Sequence, residues 1–85
     1  MRALAVELAR RQVRCNSLLP GWTDTELLAE AKTHEKFVTA TIGRMPVRRW
    51  GTLHDFETVA AFLADPSLIF HTGDSPVVDG GYTIF

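Results

Sequence analysis

Thr23 and Thr25 are the side chains of this sequence best placed to meet a ligand. They stand in Leu18-Leu19-Pro20-Gly21-Trp22-Thr23-Asp24-Thr25, an apolar run that enters a Pro-Gly turn and leaves through two hydroxyls. That layout suits the end of a buried strand, where loop hydroxyls and free N–H groups face outward. Pro20 stiffens the turn, and Gly21 lets the main chain approach a bound group closely. A second reading of the same residues is local: Thr23 and Glu26 have capping-box spacing, so Thr23 caps a helix and Thr25 opens it. Trp22 either lines a pocket beside this turn or fills a core.

The other reactive side chains form no constellation. His34, His54 and His71 are widely spaced and lack Cys or carboxylates at ligand spacing, so no metal site is expected. Asp55 reads as a helix-start residue, and Asp79 as the Asp of an Asp-Gly turn. Cys15 is the only cysteine; it can form no internal disulfide and reads as inert core. The six glycines are scattered, and no cluster opens a helix as a pyrophosphate cradle requires. The only tyrosine is Tyr82.

Eighty-five residues make one small domain at most. Nine basic against ten acidic side chains leave a net charge of −1, which argues against nucleic acid or a membrane surface as partner. Two basic clusters, at Arg10, Arg11 and Arg14 and at Arg44, Arg48 and Arg49, read as solvated faces. Glu7 and Arg10-Arg11 interrupt the first apolar run before a signal peptide is complete. A cytoplasmic setting is the default.

These side chains need a scaffold, and the pattern supplies one. Arg2 to about Arg11 is rich in helix formers, with Arg10 and Arg11 complementing the helix dipole in the last turn. The helix has no N-cap before it, which reads as truncation. Val13 to Leu19 is a strand. A helix is expected from Asp24 or Thr25 to about Lys32, and another over 34–42, stopped by Gly43 as a left-handed C′ residue. Thr52 and Asp55 open the clearest helix, to about Ala64, with Phe56, Val59, Ala60 and Leu63 on one stripe. Ser75 to Val78 forms the last strand, and Pro76 places it at a sheet edge. Strand, helices, strand is one βαβ crossover with parallel strands.

Arg14-Cys15-Asn16-Ser17-Leu18-Leu19-Pro20-Gly21, followed after helical sequence by Val77-Val78-Asp79-Gly80-Gly81, resembles the back third of a short-chain dehydrogenase/reductase. The resemblance covers essentially the whole chain. It implies an α/β fold, the C-terminal βαβ portion of a Rossmann-like doubly wound parallel sheet, with residues 1–85 as a partial domain. It implies NAD or NADP as cofactor in a longer parent, with Pro20, Gly21, Thr23 and Thr25 at the nicotinamide. The main chain around Thr23 would bind the carboxamide, and the Thr25 hydroxyl the carboxamide or diphosphate. The segment at about 26–45 corresponds to the family's substrate lid. Arg44-x-Pro46-x-x-Arg49-Trp50-Gly51 matches a family landmark, departing at Arg48, where Gly is commoner, and at Leu53, where Pro is usual.

By the same resemblance, the catalytic Ser, Tyr and Lys and the glycine-rich loop belong to sequence before Met1. The chain is therefore expected to be inactive alone, as the C-terminal fragment of an oxidoreductase acting on alcohol or ketone groups. The Asp79-Gly80-Gly81 tail adjoins a subunit interface in the family, which implies a homo-oligomer. The alternative expectation is a non-catalytic association module or gene remnant.

Overall fold

The computed structural model describes residues 1–85. Helix α1 (Arg2–Leu8) runs into a 3-10 turn, Ala9–Arg11. Gln12 then reverses the chain at φ 60°. Strand β1 (Leu19–Pro20) leads through the Trp22–Asp24 loop to a 3-10 turn at Glu26–Leu28 and helix α2 (Ala29–Lys32). Helices α3 (Glu35–Gly43) and α4 (His54–Ala64) follow, then strand β2 (Val77–Val78) and a last 3-10 turn, Tyr82–Ile84. The two strands pair in parallel, with Leu19 beside Val77 and Pro20 beside Val78. The expected βαβ crossover is present.

Both strands are shorter than the apolar runs suggest, and Pro76 is the reason. Backbone bonds run along the pair from Gly73 N–H→Cys15 O (2.9 Å) and Ser17 N–H→Asp74 O (2.9 Å) to Gly21 N–H→Val78 O (3.0 Å). Between them, Leu19 N–H donates to Pro76 O at 3.0 Å. Pro76 thus faces β1, where its missing N–H interrupts the ladder. The strand does lie at an edge, but its outer side, at Ser75 and Val77, is not the side the proline blunts.

Helix α4 begins with only half of the expected capping box, for Leu53 takes the N-cap position and no side chain caps a helix N–H. The Asp55 carboxylate reaches back to the Thr52 N–H (2.7 Å) and hydroxyl (3.1 Å). It ends where Asp65 turns extended, at ψ 113°, before Pro66. The earlier box fails: Thr23 donates its hydroxyl to Gly21 O (2.9 Å), and Thr25 takes the N-cap position without a side-chain bond. Gly43 also differs from expectation. It stays helical, because Arg44 N–H→Thr41 O (3.1 Å) and Met45 N–H→Ile42 O (3.0 Å) tighten the last turn into right-handed 3-10 geometry.

Arg14 is not a solvated cation. It is partly buried, and its guanidinium donates to Asp65 O (2.7 Å), Leu63 O (3.1 Å) and His71 O (3.3 Å), tying the C-terminal end of α4 to the extended segment before β1. A cation there satisfies orphan carbonyls and complements the helix dipole. Arg44 stacks over the Tyr82 ring (4.3 Å to its centroid) and donates to the phenol oxygen at 3.0 Å.

The core sits between α3 and the loops that flank it. Only Ala5, Thr23, Thr41, Met45 and Trp50 are buried. The radius of gyration is 15.8 Å, whereas a compact domain of this length has about 12 Å. The accessible surface is 6518 Å², against about 5,000 Å² for a compact chain of this mass. Much of the excess is apolar, for Phe70, Leu27, Ile84 and Ile69 are almost fully exposed. No helix is long and apolar enough to cross a membrane.

Three turns depend on ionised carboxylates. Asp79 accepts the Thr83 hydroxyl (2.7 Å), the Thr83 N–H (3.0 Å) and the Gly81 N–H (2.9 Å), so it is structural, as its Asp-Gly context suggests. The Thr83 hydroxyl above all holds its pKa below the usual carboxylate range. The Ser67 hydroxyl and N–H do the same for Asp65, and the Arg49 guanidinium, then the Thr52 N–H, for Asp55.

Two outcomes are expected. Each carboxylate has a depressed folded-state pKa, so its stabilisation is present above about pH 4 and is lost as pH falls through the folded value. Thermal midpoints should therefore drop from about pH 4 downward, and Asp79→Asn should lower the neutral-pH midpoint while flattening the acid slope. Equal slopes for variant and wild type would remove Asp79 from this account. Second, the purified chain should self-associate through its open strand edges and exposed apolar side chains. Size-exclusion chromatography with light scattering checks this; a sharp monomer peak with cooperative unfolding contradicts it.

Candidate functional site

The loop that leaves β1 is held by its main chain. Gly51 N–H donates to Trp22 O and Asp24 N–H to Gly51 O, both at 2.8 Å, making a parallel bridge between Thr23 and Gly51. The segment that carries Gly51 is fixed in turn. Arg49 grips Asp55 with both guanidinium ends, at 2.7 and 2.9 Å, and its own backbone leads into buried Trp50. The ion pair raises the Arg49 pKa further, through its hydrogen bond to Asp55. Planar, two-point pairing of this kind fixes orientation as well as distance.

The four residues singled out from sequence occupy distinct settings. Pro20 and Gly21 line an open groove of about 490 Å³, shared with Leu19, Trp22, Leu28 and Tyr82. Thr23 lies beneath the loop, buried, with its hydroxyl turned inward to Gly21 O. A ligand at Thr23 would therefore meet main chain rather than hydroxyl. Thr25 is half-buried in extended backbone (φ −129°, ψ 165°), and its hydroxyl makes no cap bond. It keeps both donor and acceptor capacity for a ligand. Gly21 has a reason of its own inside the sheet, for a Cβ there would stand 2.5 Å from Asp79 Cβ and 2.7 Å from its Cα.

Trp22 is both pocket wall and core. It stacks on Trp50 (5.8 Å between centroids, 22° between planes) and meets Phe37 and Tyr82 edge-on at 5.1 and 6.4 Å. These rings bring together the loop, the segment before α4, helix α3 and the tail. The Trp50 indole N–H donates to the Thr41 hydroxyl oxygen of α3 at 2.8 Å, a fully buried bond. On the other side of Trp22, a cavity of about 200 Å³ is lined by Arg49, Gly51, Asp55, Phe56 and Val78 among others. Sequence reasoning missed Thr41 and gave Trp50-Gly51 no role beyond a place in the family landmark. The only available signal was the landmark that places Trp50-Gly51 between lid and helix.

A family model described as enoyl-(acyl carrier protein) reductase matches residues 1–83. Galactitol 2-dehydrogenase (L-tagatose-forming) of Cereibacter sphaeroides is 37% identical over 99% of this chain, which covers 33% of that protein. A tropinone reductase homologue of Arabidopsis thaliana is 35% identical over 98% of the chain, covering 31% of that protein. Among solved structures, a Beutenbergia cavernae protein assigned as an NAD(P)-dependent gluconate 5-dehydrogenase, with NADP bound at low occupancy, is 34% identical. It superposes with a TM-score of 0.92 over 99% of this chain and 34% of its own. A short-chain type dehydrogenase/reductase from Mycobacterium marinum is 33% identical, with a TM-score of 0.88 over 99% and 32% of the two chains. This chain spans about a third of the length of the curated relatives it matches. Its parallel pair is thus a portion of a Rossmann-like sheet, and the chain belongs to the short-chain dehydrogenase/reductase family.

Proposed function

We propose that these residues supply the nicotinamide-side loop, the substrate lid and the interface tail of an NAD(P)-dependent oxidoreductase acting on alcohol and ketone groups. The observation that carries this reading is the superposition, over 99% of the chain, on a relative that holds NADP. Pro20, Gly21, Thr23 and Thr25 are the cofactor-side residues. Main chain at Thr23 and the Thr25 hydroxyl together supply a donor and an acceptor, which is what fixing one face of a nicotinamide carboxamide demands. The cofactor when bound supplies the hydride. What this chain does is orient the ring, and with α2 and α3 exclude water from one side.

The segment at 26–45 is the lid in this reading, with Phe37 and Leu28 on its inner side. The tail serves a homo-oligomer, and the setting is cytoplasmic. The 85 residues hold no pair able to act as general acid. The phenol oxygen of Tyr82 is engaged by Arg44. A second reading, a non-catalytic association module, draws support from the exposed Ile69, Phe70, Ile84 and Phe85.

Two measurements test the first reading. The 85-residue polypeptide, incubated with NADH or NADPH and a ketone panel, should show no turnover, since positioning and proton transfer supply much of the barrier lowering. Turnover above a boiled control, surviving a contaminant check, counts against it. In a full-length dehydrogenase carrying this segment, Thr25→Val should weaken cofactor binding by one hydrogen bond, about 0.5–3 kcal/mol or roughly twofold to 150-fold. Thr25→Ser should retain most of the affinity. Unchanged affinity of the Val variant for both NAD and NADP would make Thr25 only a helix-start residue.

A further inference from the structure

The buried bond between Trp50 and Thr41 joins two parts that the proposed function treats separately. Trp50 is covered on one side by Trp22 of the cofactor loop and on another by Phe37 of α3, whose ring lies 6.2 Å away and nearly perpendicular. Its indole N–H ends on Thr41, a residue itself only 5% exposed. The Thr41 hydroxyl donates to Val38 O at 2.9 Å, so its oxygen is free to accept from one direction, and Trp50 supplies that donor. The next residue, Gly51, makes both backbone bonds to the Trp22–Asp24 loop. From loop to lid the path is therefore continuous: Trp22–Asp24 to Gly51 by main chain, Trp50 to Thr41 by a desolvated hydrogen bond.

We propose that Trp50 is a positioning residue, which through Thr41 sets the docking of the lid helix α3 according to the position of the cofactor loop. The inference rests on the reading of 22–25 as the nicotinamide-side loop and of 26–45 as the lid. The two rings and the hydroxyl are held by packing on three elements, so a shift of the loop cannot be absorbed at Trp50 without breaking a bond in a site closed to water. A desolvated donor left without its acceptor is costly, which makes the coupling close to all-or-none. Arg44 on Tyr82 clasps the same helix just beyond its C-terminal end.

The test uses the 85-residue chain and two substitutions that leave both indoles in place, Thr41→Val and Thr41→Ser. Amide hydrogen exchange followed by mass spectrometry reads α3, the 22–25 loop and α4 separately. Thr41→Val should speed exchange in α3 and in the 22–25 loop together, by about two- to tenfold for one net hydrogen bond, and leave α4 unchanged. It should also diminish the exciton circular-dichroism signal of the stacked Trp22–Trp50 pair, although neither ring is altered. Thr41→Ser, which keeps the acceptor, should restore both readouts. Equal acceleration in α4, acceleration in α3 without the loop, failure of the Ser variant to rescue, or α3 amides already exchanging at unstructured rates in the wild-type chain would each overturn the proposal. If the coupling holds while Thr25→Val leaves cofactor affinity untouched, the cofactor assignment fails and the mechanical link stands.

Discussion

Two main-chain hydrogen bonds at Gly51 hold the molecule's central arrangement together. They fix the exit from β1 to a segment about thirty residues further on, and so convert a flexible loop into a defined edge. Trp22 is placed by that bridge, and the aromatic cluster forms around Trp22. Without it, a strand pair this short would leave the loop's direction undetermined. Arg49 and Asp55 then hold the Gly51 segment against the start of α4, so the same helix that completes the crossover also anchors the loop. Local capping and long-range placement are thus carried by one carboxylate.

Charged side chains do much of the tying that a larger core would do. Arg14 bonds two carbonyls at the end of α4 and a third at His71, where burial of a guanidinium stem adds apolar cover as well as hydrogen bonds. Arg44 covers the Tyr82 ring, Arg49 pairs with Asp55, and Lys32 pairs with Asp24 at the surface. The Lys32 pair is exposed and worth little. Arg14 is different, because it is partly buried and its three acceptors are backbone carbonyls far away in sequence. An extended chain with little buried apolar surface relies on such ties more than a compact domain does.

The crossover and α4 were legible in the sequence because their signals are local and agree with each other. Thr52 and Asp55, the stripe from Phe56 to Leu63, and Asp65-Pro66 all specify one helix with the same ends. The Thr23–Glu26 spacing failed for an equally physical reason. The bridge to Gly51 draws Thr23 into the interior, and there its hydroxyl finds Gly21 O instead of a helix N–H. Arg14 was misread because its acceptors lie about fifty residues away, and charge alone reads as surface. For the candidate site, Pro20 and Gly21 do border a groove, but Gly21 is also required by the approach of β2 at Asp79. One residue type answers two demands there, and sequence cannot separate them.

Arg48 shows how a departure from the family pattern is accommodated. Its backbone sits at φ 65°, the left-handed region in which a side chain costs about 1–2 kcal/mol and glycine costs little. The family's commoner Gly at this position is thereby explained by conformation rather than by contact with a ligand. In this chain the strain is offset locally. Arg48 N–H bonds Met45 O at 2.8 Å, and the guanidinium returns to Gly43 O at 3.0 Å, a carbonyl left open at the end of α3. A charged donor on the last turn of a helix also complements its dipole. The residue that strains the loop is therefore the one that closes helix α3, and both effects act on the short path between α3 and Trp50.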